Sequence, residues 1–329
     1  MSFPRTIKIT LAENMTERMR ILSGHAQHIG ARHSQQDSFG LADPEDHEFI
    51  AHGGFVAVIC DGMGGMEHGE AAGRTAVEAF LDAYKRKIPE ESIPDALLRS
   101  VREANEEVVT LAATLNVVEN MGTTLVAVAL TRGGFYHISV GDSAIFRVTA
   151  GEVAMVNRHH VFSNFLDEAV NRGVMSREDA DRHPERESLT SYVGVRNLEE
   201  IDRNVEAWEL AEGESVLLAS DGMFKSLEGD ELLAGLHGPP QTWPETLVAK
   251  TLAKGFEFQD NVTVLSVTIA GPDTEEVPPK KDDTVELRPT LPLPAPHSRR
   301  MLSMMILIVV LMLTAATAAA VWNMHSKHR

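Results

Sequence analysis

Hydrophobic positions along residues 1–270 follow two spacings. Short runs rich in β-branched and aliphatic residues, bounded by turn formers, predict strands over residues 55–60, 124–130, 135–140, 144–148, 215–219 and 262–269. Two longer stretches repeat at the helical period. Across 70–87, Ala72, Ala76, Ala79 or Phe80, and Ala83 fall on one stripe; across 94–115, Leu97, Leu98, Val101, Ala104, Val108, Leu111 and Leu115 fall on another. Pro94 suits a helix's first turn, where its missing N–H leaves no bond unmade. The two helices are consecutive, with strands before and after, which disfavours a doubly wound parallel sheet. Sheets covered by paired helices fit better.

After residue 270 the pattern changes. Residues 271–300 hold seven of the 15 prolines, with Thr274-Glu-Glu276 and Lys280-Lys-Asp-Asp283 among them. Such a composition buries no core and predicts an extended, charged linker, most simply a spacer. Residues 301–322 carry no charge, and 22 helical residues at about 1.5 Å each span roughly 33 Å, the thickness of a bilayer's hydrocarbon core. The alternative, a buried C-terminal helix of the globular part, would call for a polar face that the run lacks. A transmembrane helix is therefore expected, followed by a short basic tail over 323–329. Arg299 and Arg300 on one flank nearly balance Lys327 and Arg329 on the other, so the flanks do not decide orientation.

With 329 residues, 43% of them hydrophobic, the chain can build one large domain or two small ones. A formal net charge of -18 argues against wrapping a nucleic-acid backbone. It does not exclude an anionic substrate where local cations reverse the field. The single cysteine, Cys60, rules out an internal disulfide and reads as a small buried filler in a reducing compartment. With no secretory signal at the N-terminus, the expected side for residues 1–270 is the cytoplasm.

Candidate chemistry sits at the ends of the apolar runs. Asp61 and Asp221 close two of them, in Asp61-Gly-Met-Gly-Gly65 and Ala219-Ser-Asp-Gly222; Asp260 opens another, in Gln259-Asp-Asn261; and Asp37 ends Gly30-Ala-Arg-His-Ser-Gln-Gln-Asp37. Carboxylates at the ends of buried strands are costly to leave unpaired, and hard divalent cations are natural partners for them. The pattern predicts a metal-assisted hydrolase. Gly62 would let its backbone carbonyl approach a metal with no side chain in the way. Singly, each motif has a plainer reading: a tight strand-to-helix turn or phosphate loop for the first, helix caps or turn formers for Asp221 and Asp260. The first motif lacks the lysine of a nucleoside-triphosphate loop and the third glycine of a dinucleotide loop. Gly141-Asp142-Ser143 is a further acidic turn, whose plainer reading is a hairpin turn. In Met121-Gly-Thr-Thr124, Gly122 reads as a close-packing glycine and the threonines as hydrogen-bonding supports for neighbouring loops.

Taken in order over residues of about 20–270, these segments resemble the PPM family of metal-dependent serine/threonine protein phosphatases (protein phosphatase 2C-like), in its bacterial branch. The resemblance implies an α+β fold, a four-layer α-β-β-α sandwich of two antiparallel sheets flanked by helices, over residues 1–270 with a flap at about 157–203. It implies Mn2+ or Mg2+, two per site, with Asp61 bridging both, the Gly62 carbonyl on one, and Asp221 and Asp260 on the other. Asp37 would hold metal-bound waters, Arg32 would bind the substrate phosphate, and Asp142 with Asp221 would hold a third, weaker metal.

Two positions depart from the family's pattern. His159, in Asn157-Arg-His-His160, stands where many bacterial members carry an aspartate associated with the third metal, and histidine suits Mn2+ better than Mg2+. Ala144 stands where arginine is usual, for which a structural cost is expected. In the flap, helices are expected over 161–173 and 176–183, the second opened by a capping-box-like Ser176 and Asp179. Asp181, Arg182, Glu185 and Arg186 read as solvated charges.

The expected activity is hydrolysis of phosphoserine and phosphothreonine in proteins by a metal-activated water, opposing a serine/threonine protein kinase, from a single-pass position in a bacterial inner membrane. Cys60, inside an apolar strand, argues against a cysteine nucleophile. The alternative is a catalytically weak, phosphatase-like binding or sensor module at the membrane.

Overall fold

The computed structural model describes residues 19–277, apart from Gly65, Glu119, Pro272 and Asp273. Most of the expected linker, the expected transmembrane helix at 301–322 and the basic tail lie outside the described residues. Among those described, no helix is long and apolar enough to cross a membrane.

The chain runs β1 (Ile21–His28), β2 (Asp37–Leu41), α1 (His47–Gly53), β3 (Phe55–Met63), α2 (Met66–Lys85) and α3 (Ile93–Thr114). It continues through β4 (Gly122–Thr123), β5 (Leu125–Thr131), β6 (Gly134–Val140), β7 (Ala144–Thr149) and β8 (Glu152–Met155). Then come α4 (Ser163–Asn171), α5 (Arg177–Asp181), β9 (Asp202–Arg203), β10 (Ser215–Ala219), α6 (Asp221–Phe224), α7 (Gly229–Leu233), α8 (Trp243–Ala253) and β11 (Val262–Ile269). One sheet has the order β1-β11-β10-β7-β8; the other is β2-β3-β5-β6-β9, with β4 paired to β3. All the pairings are antiparallel.

Alternation of side chains across each strand turns those sheets into layers. In β3, Phe55, Ala57 and Ile59 point between the sheets, where they meet Val216, Leu218, Leu265 and Val267. Val56, Val58 and Cys60 point the other way, onto Phe80 and Tyr84 of α2 and Leu97 and Val101 of α3. The second sheet repeats the arrangement, with Leu217, Ala219, Val262 and Val264 packed on Leu247 and Val248 of α8. The four-layer expectation holds. Because helices cover the outer face of each sheet, central strands such as β3 and β5 are apolar on both faces over residues 55–60 and 125–130 and read in sequence as continuous runs.

The two long helices form where their stripes place them. Ser92 caps α3 by accepting from the Asp95 N–H at 3.2 Å, with Pro94 in the first turn. A cap of this kind contributes about 1 kcal/mol. Ala72, Ala76, Phe80 and Ala83 are buried, as are Leu97, Val101, Ala104 and Val108, while Leu115, just past the end of α3, is exposed.

Gly141-Asp142-Ser143 is not a hairpin turn. β6 and β7 belong to different sheets, so these residues carry the chain from one sheet to the other. β1 and β2, which periodicity did not reveal, are strands through their pairing: β1 lies along β11 over eight residues, and β2 along β3.

Candidate metal centre

A cleft of about 510 Å3 opens where the ends of the two sheets meet, and Arg32, Asp61, Gly62, Asp142, Asp221 and Asp260 all line it. Asp37 stands behind this wall, 4% exposed and directly opposite Asp61 across the β2–β3 ladder. Seven residues singled out from sequence therefore converge on one place.

Hydrogen bonds to neighbouring loops position each of them. The Asp61 N–H donates to Thr124 Oγ1 at 3.0 Å, and that hydroxyl lies 2.7 Å from Ser143 Oγ, beside Asp142. The threonine support expected of Met121-Gly-Thr-Thr124 is present, and it ties two acidic motifs together. Gly122 packs closely, since a Cβ there would fall 2.5 Å from the Tyr192 ring. Asp37 Oδ2 accepts from Ser220 Oγ at 2.8 Å and from Thr263 Oγ1 at 2.7 Å, so a carboxylate of one sheet is held by hydroxyls of the other.

The amides of Gln259 and Asn261 explain why Asp260 sits between them. Gln259 Nε2 donates to the Gly222 carbonyl at 3.0 Å. Asn261 Nδ2 donates to the Ile29 and Ser34 carbonyls at 2.8 and 3.1 Å, and its Oδ1 accepts from the Gln36 N–H at 2.7 Å. A side-chain amide both donates and accepts, so one residue can organise the whole Arg32 loop. Gly222 must be glycine, since a Cβ there would fall 2.1 Å from the Asn261 carbonyl oxygen.

The electrostatics are those of acids crowded with too few cations. Burial pushes Asp61 well above the usual carboxylate range, and Asp37, Asp221, Asp260 and Asp142 push it further. Asp37 is raised to about 7, by burial first, against the pull of the Thr263 and Ser220 hydroxyls. Burial likewise raises Asp142, with Lys225 opposing. Two buried oxygens, Asp37 Oδ1 and Asp221 Oδ1, have no hydrogen-bond partner. Oxygen-only donors of this kind, carrying negative charge and lacking partners, fit hard divalent ions.

Cations of the chain itself engage other oxygens of the site: Arg32 Nη2 lies 2.6 Å from Asp260 Oδ2, and Lys225 Nζ 2.8 Å from Asp221 Oδ2. Among the described residues no group of three or more His, Cys, Asp or Glu side chains already stands at metal-ligating spacing.

Lys225, Ser220, Thr263 and Asn261 are site residues that sequence reasoning passed over. A signal existed for two of them, as immediate neighbours of Asp221 and Asp260 within their motifs. The flap adds Glu187 and Leu189 to the cleft wall. Its helices are shorter than expected, but Ser176 does cap α5, accepting from the Asp179 N–H at 3.0 Å. Arg186 is not a solvated charge: its Nη1 reaches Asp167 at 3.4 Å and Asp181 at 3.7 Å, joining the two flap helices. His159 is held neutral, its pKa lowered to about 4 by burial and then by Lys225 and His160, with its ring 5.3 Å from that of Phe224. Cys60 is fully buried, as a filler should be.

Residues 25–253 match the family profile described as Protein phosphatase 2C. The serine/threonine phosphatase stp of Listeria monocytogenes is 29% identical over 259 residues, covering 78% of this chain and 94% of that protein. Among solved structures, the S. agalactiae serine/threonine phosphatase aligns with a TM-score of 0.65 at 25% identity, over 76% of this chain and 100% of that one. The catalytic domain of the phosphatase PstP, solved in complex with two manganese ions, aligns with a TM-score of 0.59 at 21% identity, over 76% and 99% of the two chains.

Proposed function

The chain belongs to the protein phosphatase 2C family and is a serine/threonine protein phosphatase, and from that premise we propose how its side chains divide the work. Asp61, Asp221, Asp260 and the Gly62 carbonyl would hold a pair of Mn2+ or Mg2+ ions. When bound, such a pair supplies positive charge against a doubly charged phosphate and acidifies water near neutral pH. Asp37, fixed through Oδ2 by Ser220 and Thr263, offers its uncommitted Oδ1 to the hydrogen of the attacking water. Arg32 grips the phosphate, for which a planar guanidinium fork is well shaped. Arg32 pairs with Asp260 Oδ2, so an ion drawing on that oxygen would weaken the pair and leave the guanidinium freer for substrate. No protein nucleophile is required, and Cys60 faces the helices rather than the cleft.

The observation that carries this reading is the convergence of Asp61, Asp142, Asp221 and Asp260, from four separate segments of the chain, on one cleft backed by buried oxygens without partners. The test is dephosphorylation of phosphothreonine and phosphoserine peptides by the full-length chain during Mn2+ titration. Asp61→Asn and Asp221→Asn are each expected to lower the rate by more than about a hundredfold, beyond what losing a mere supporting residue costs. Full activity of both variants, or turnover indifferent to a chelator, would refute it. Phosphopeptide binding without turnover would instead support a sensor module.

The substrates are phosphoproteins, with a serine/threonine protein kinase as the opposing activity. The uncharged run 301–322 anchors the chain in a bacterial inner membrane, with residues 271–300 as spacer and the phosphatase part on the cytoplasmic side. Recovery of the full chain in a membrane fraction, and its release on deleting 299–329, checks the anchor. A full-length chain that stays in the soluble fraction counts against it.

A further inference from the structure

Resting on the reading that this cleft holds a cation pair, we propose that Lys225 is a built-in third cation. Its ammonium occupies the acidic corner between Asp142 and Asp221, where the family resemblance would place a third metal, and so limits the chain to two ions.

The geometry is specific. Lys225 Nζ lies 3.2 Å from Asp142 Oδ2 and 2.8 Å from Asp221 Oδ2, so one ammonium spans both carboxylates. Its position is set by the backbone as well, because the Lys225 N–H donates to the Asp221 carbonyl at 3.0 Å, one helical turn back. Asp142 is 7% exposed, and a carboxylate so buried is costly without a partner of opposite charge. Burial disfavours the charge on Lys225, but Asp221 and Asp142 outweigh it and hold the ammonium above its usual range.

A third metal does not fit beside it. A divalent ion on these same two oxygens would sit within hydrogen-bonding distance of a fixed positive charge, so ion and lysine exclude each other. The side chain across the corner, His159, adds no negative charge to reverse that balance; its ring packs on Phe224. Mn2+ and Mg2+ also demand several oxygen ligands, and this corner offers two carboxylates already engaged.

The two oxygens of Asp221 thereby take separate duties. Oδ2 is bound to the lysine, while Oδ1 stays buried and uncommitted for the ion pair. Lys225 orients this ligand at any metal concentration, which an exchangeable third ion could not do.

The test counts ions on the full-length chain, stripped of metal and titrated with Mn2+ by calorimetry and native mass spectrometry, with melting temperature recorded for each variant. The wild type and Lys225→Arg are expected to bind two ions. Lys225→Asp is expected to bind a third, at least tenfold tighter than any third step in the wild type, with Lys225→Ala as an independent variant showing a weaker gain. A third ion in the wild type overturns the proposal. Two ions in the wild type with no gain in either Lys225→Asp or Lys225→Ala overturn the lysine's role and leave the phosphatase reading standing. A wild type that binds no Mn2+ overturns the two-ion reading and this one with it.

Discussion

Asp37 and Asp61 are direct partners across the β2–β3 ladder, a pairing of like charges that an antiparallel sheet ordinarily avoids. The arrangement has a measurable consequence in the metal-free chain. Folding raises the Asp37 pKa from 3.8 to about 7, so the folded state holds this proton more tightly than the unfolded one. The stability it contributes is fully present below about pH 4 and lost as pH rises toward about 7. Asp37→Asn removes the titrating group. In chelator, the variant's stability relative to wild type should rise across that window and level off above it. Every tenfold gain in proton affinity on folding corresponds to about 1.4 kcal/mol, so the whole change amounts to a few kcal/mol. Urea unfolding from pH 4 to 8 checks this; a difference that does not change with pH would contradict it.

Thr124 is expected to act on metal affinity without touching the ions. Thr124→Val strips the acceptor from the Asp61 N–H and a partner from Ser143, at about 1–3 kcal/mol for buried groups left unpaired. Mn2+ affinity should fall by about 10- to 100-fold, as when an outer-shell support is lost. Thr124→Ser keeps the hydroxyl and should restore most of it. Equal Mn2+ titrations for wild type and Thr124→Val would rule out the supporting role.

Gly222→Ala tests the contact between the two loops that present Asp221 and Asp260. The new methyl would meet the Asn261 carbonyl oxygen at 2.1 Å, and overpacking of this kind costs about 1–3 kcal/mol. Since the shift falls between two site carboxylates, kcat/KM should drop more steeply than stability. A variant that melts cooperatively and keeps near-wild-type kcat/KM would show that the two loops tolerate separation.

Arg32→Ala should separate ion binding from substrate binding. Freed of the guanidinium at 2.6 Å, Asp260 should take Mn2+ a few-fold more tightly, while kcat/KM falls through loss of the phosphate grip. The gain should shrink at high salt, because both partners are partly exposed and their pairing is already screened. Weaker Mn2+ binding in Arg32→Ala would contradict the competition.

How much of this is legible in the amino-acid sequence follows from the range of the forces involved. Runs such as 55–60 and 262–269 declared themselves because burial on both faces fills them with aliphatic, aromatic or small residues, the three hydroxyls of 262–269 being buried as well. The stripes of α2 and α3 did so because one helix face packs on a sheet. The acidic motifs stood out because charge at the end of such a run is anomalous. β1 escaped notice because Gly24, His25 and Gln27 give it no apolar period; its strand character comes from β11, more than 200 residues away.

Local patterns of burial and charge by themselves determined the strand runs, the two long helices and the acidic motifs at the ends of those runs, while the four layers and the grouping of those carboxylates in one site were implied by the resemblance to a known family. Only tertiary structure decided that residues 141–143 cross between sheets, that Ser220 and Thr263 hold Asp37, that Asn261 organises the Arg32 loop, and that Lys225 lies between Asp142 and Asp221. Those partners come from distant parts of the chain or from opposite sheets. Hydrogen bonds and ion pairs act over a few ångströms in space, and a linear pattern carries no record of which strand ends the fold will bring that close.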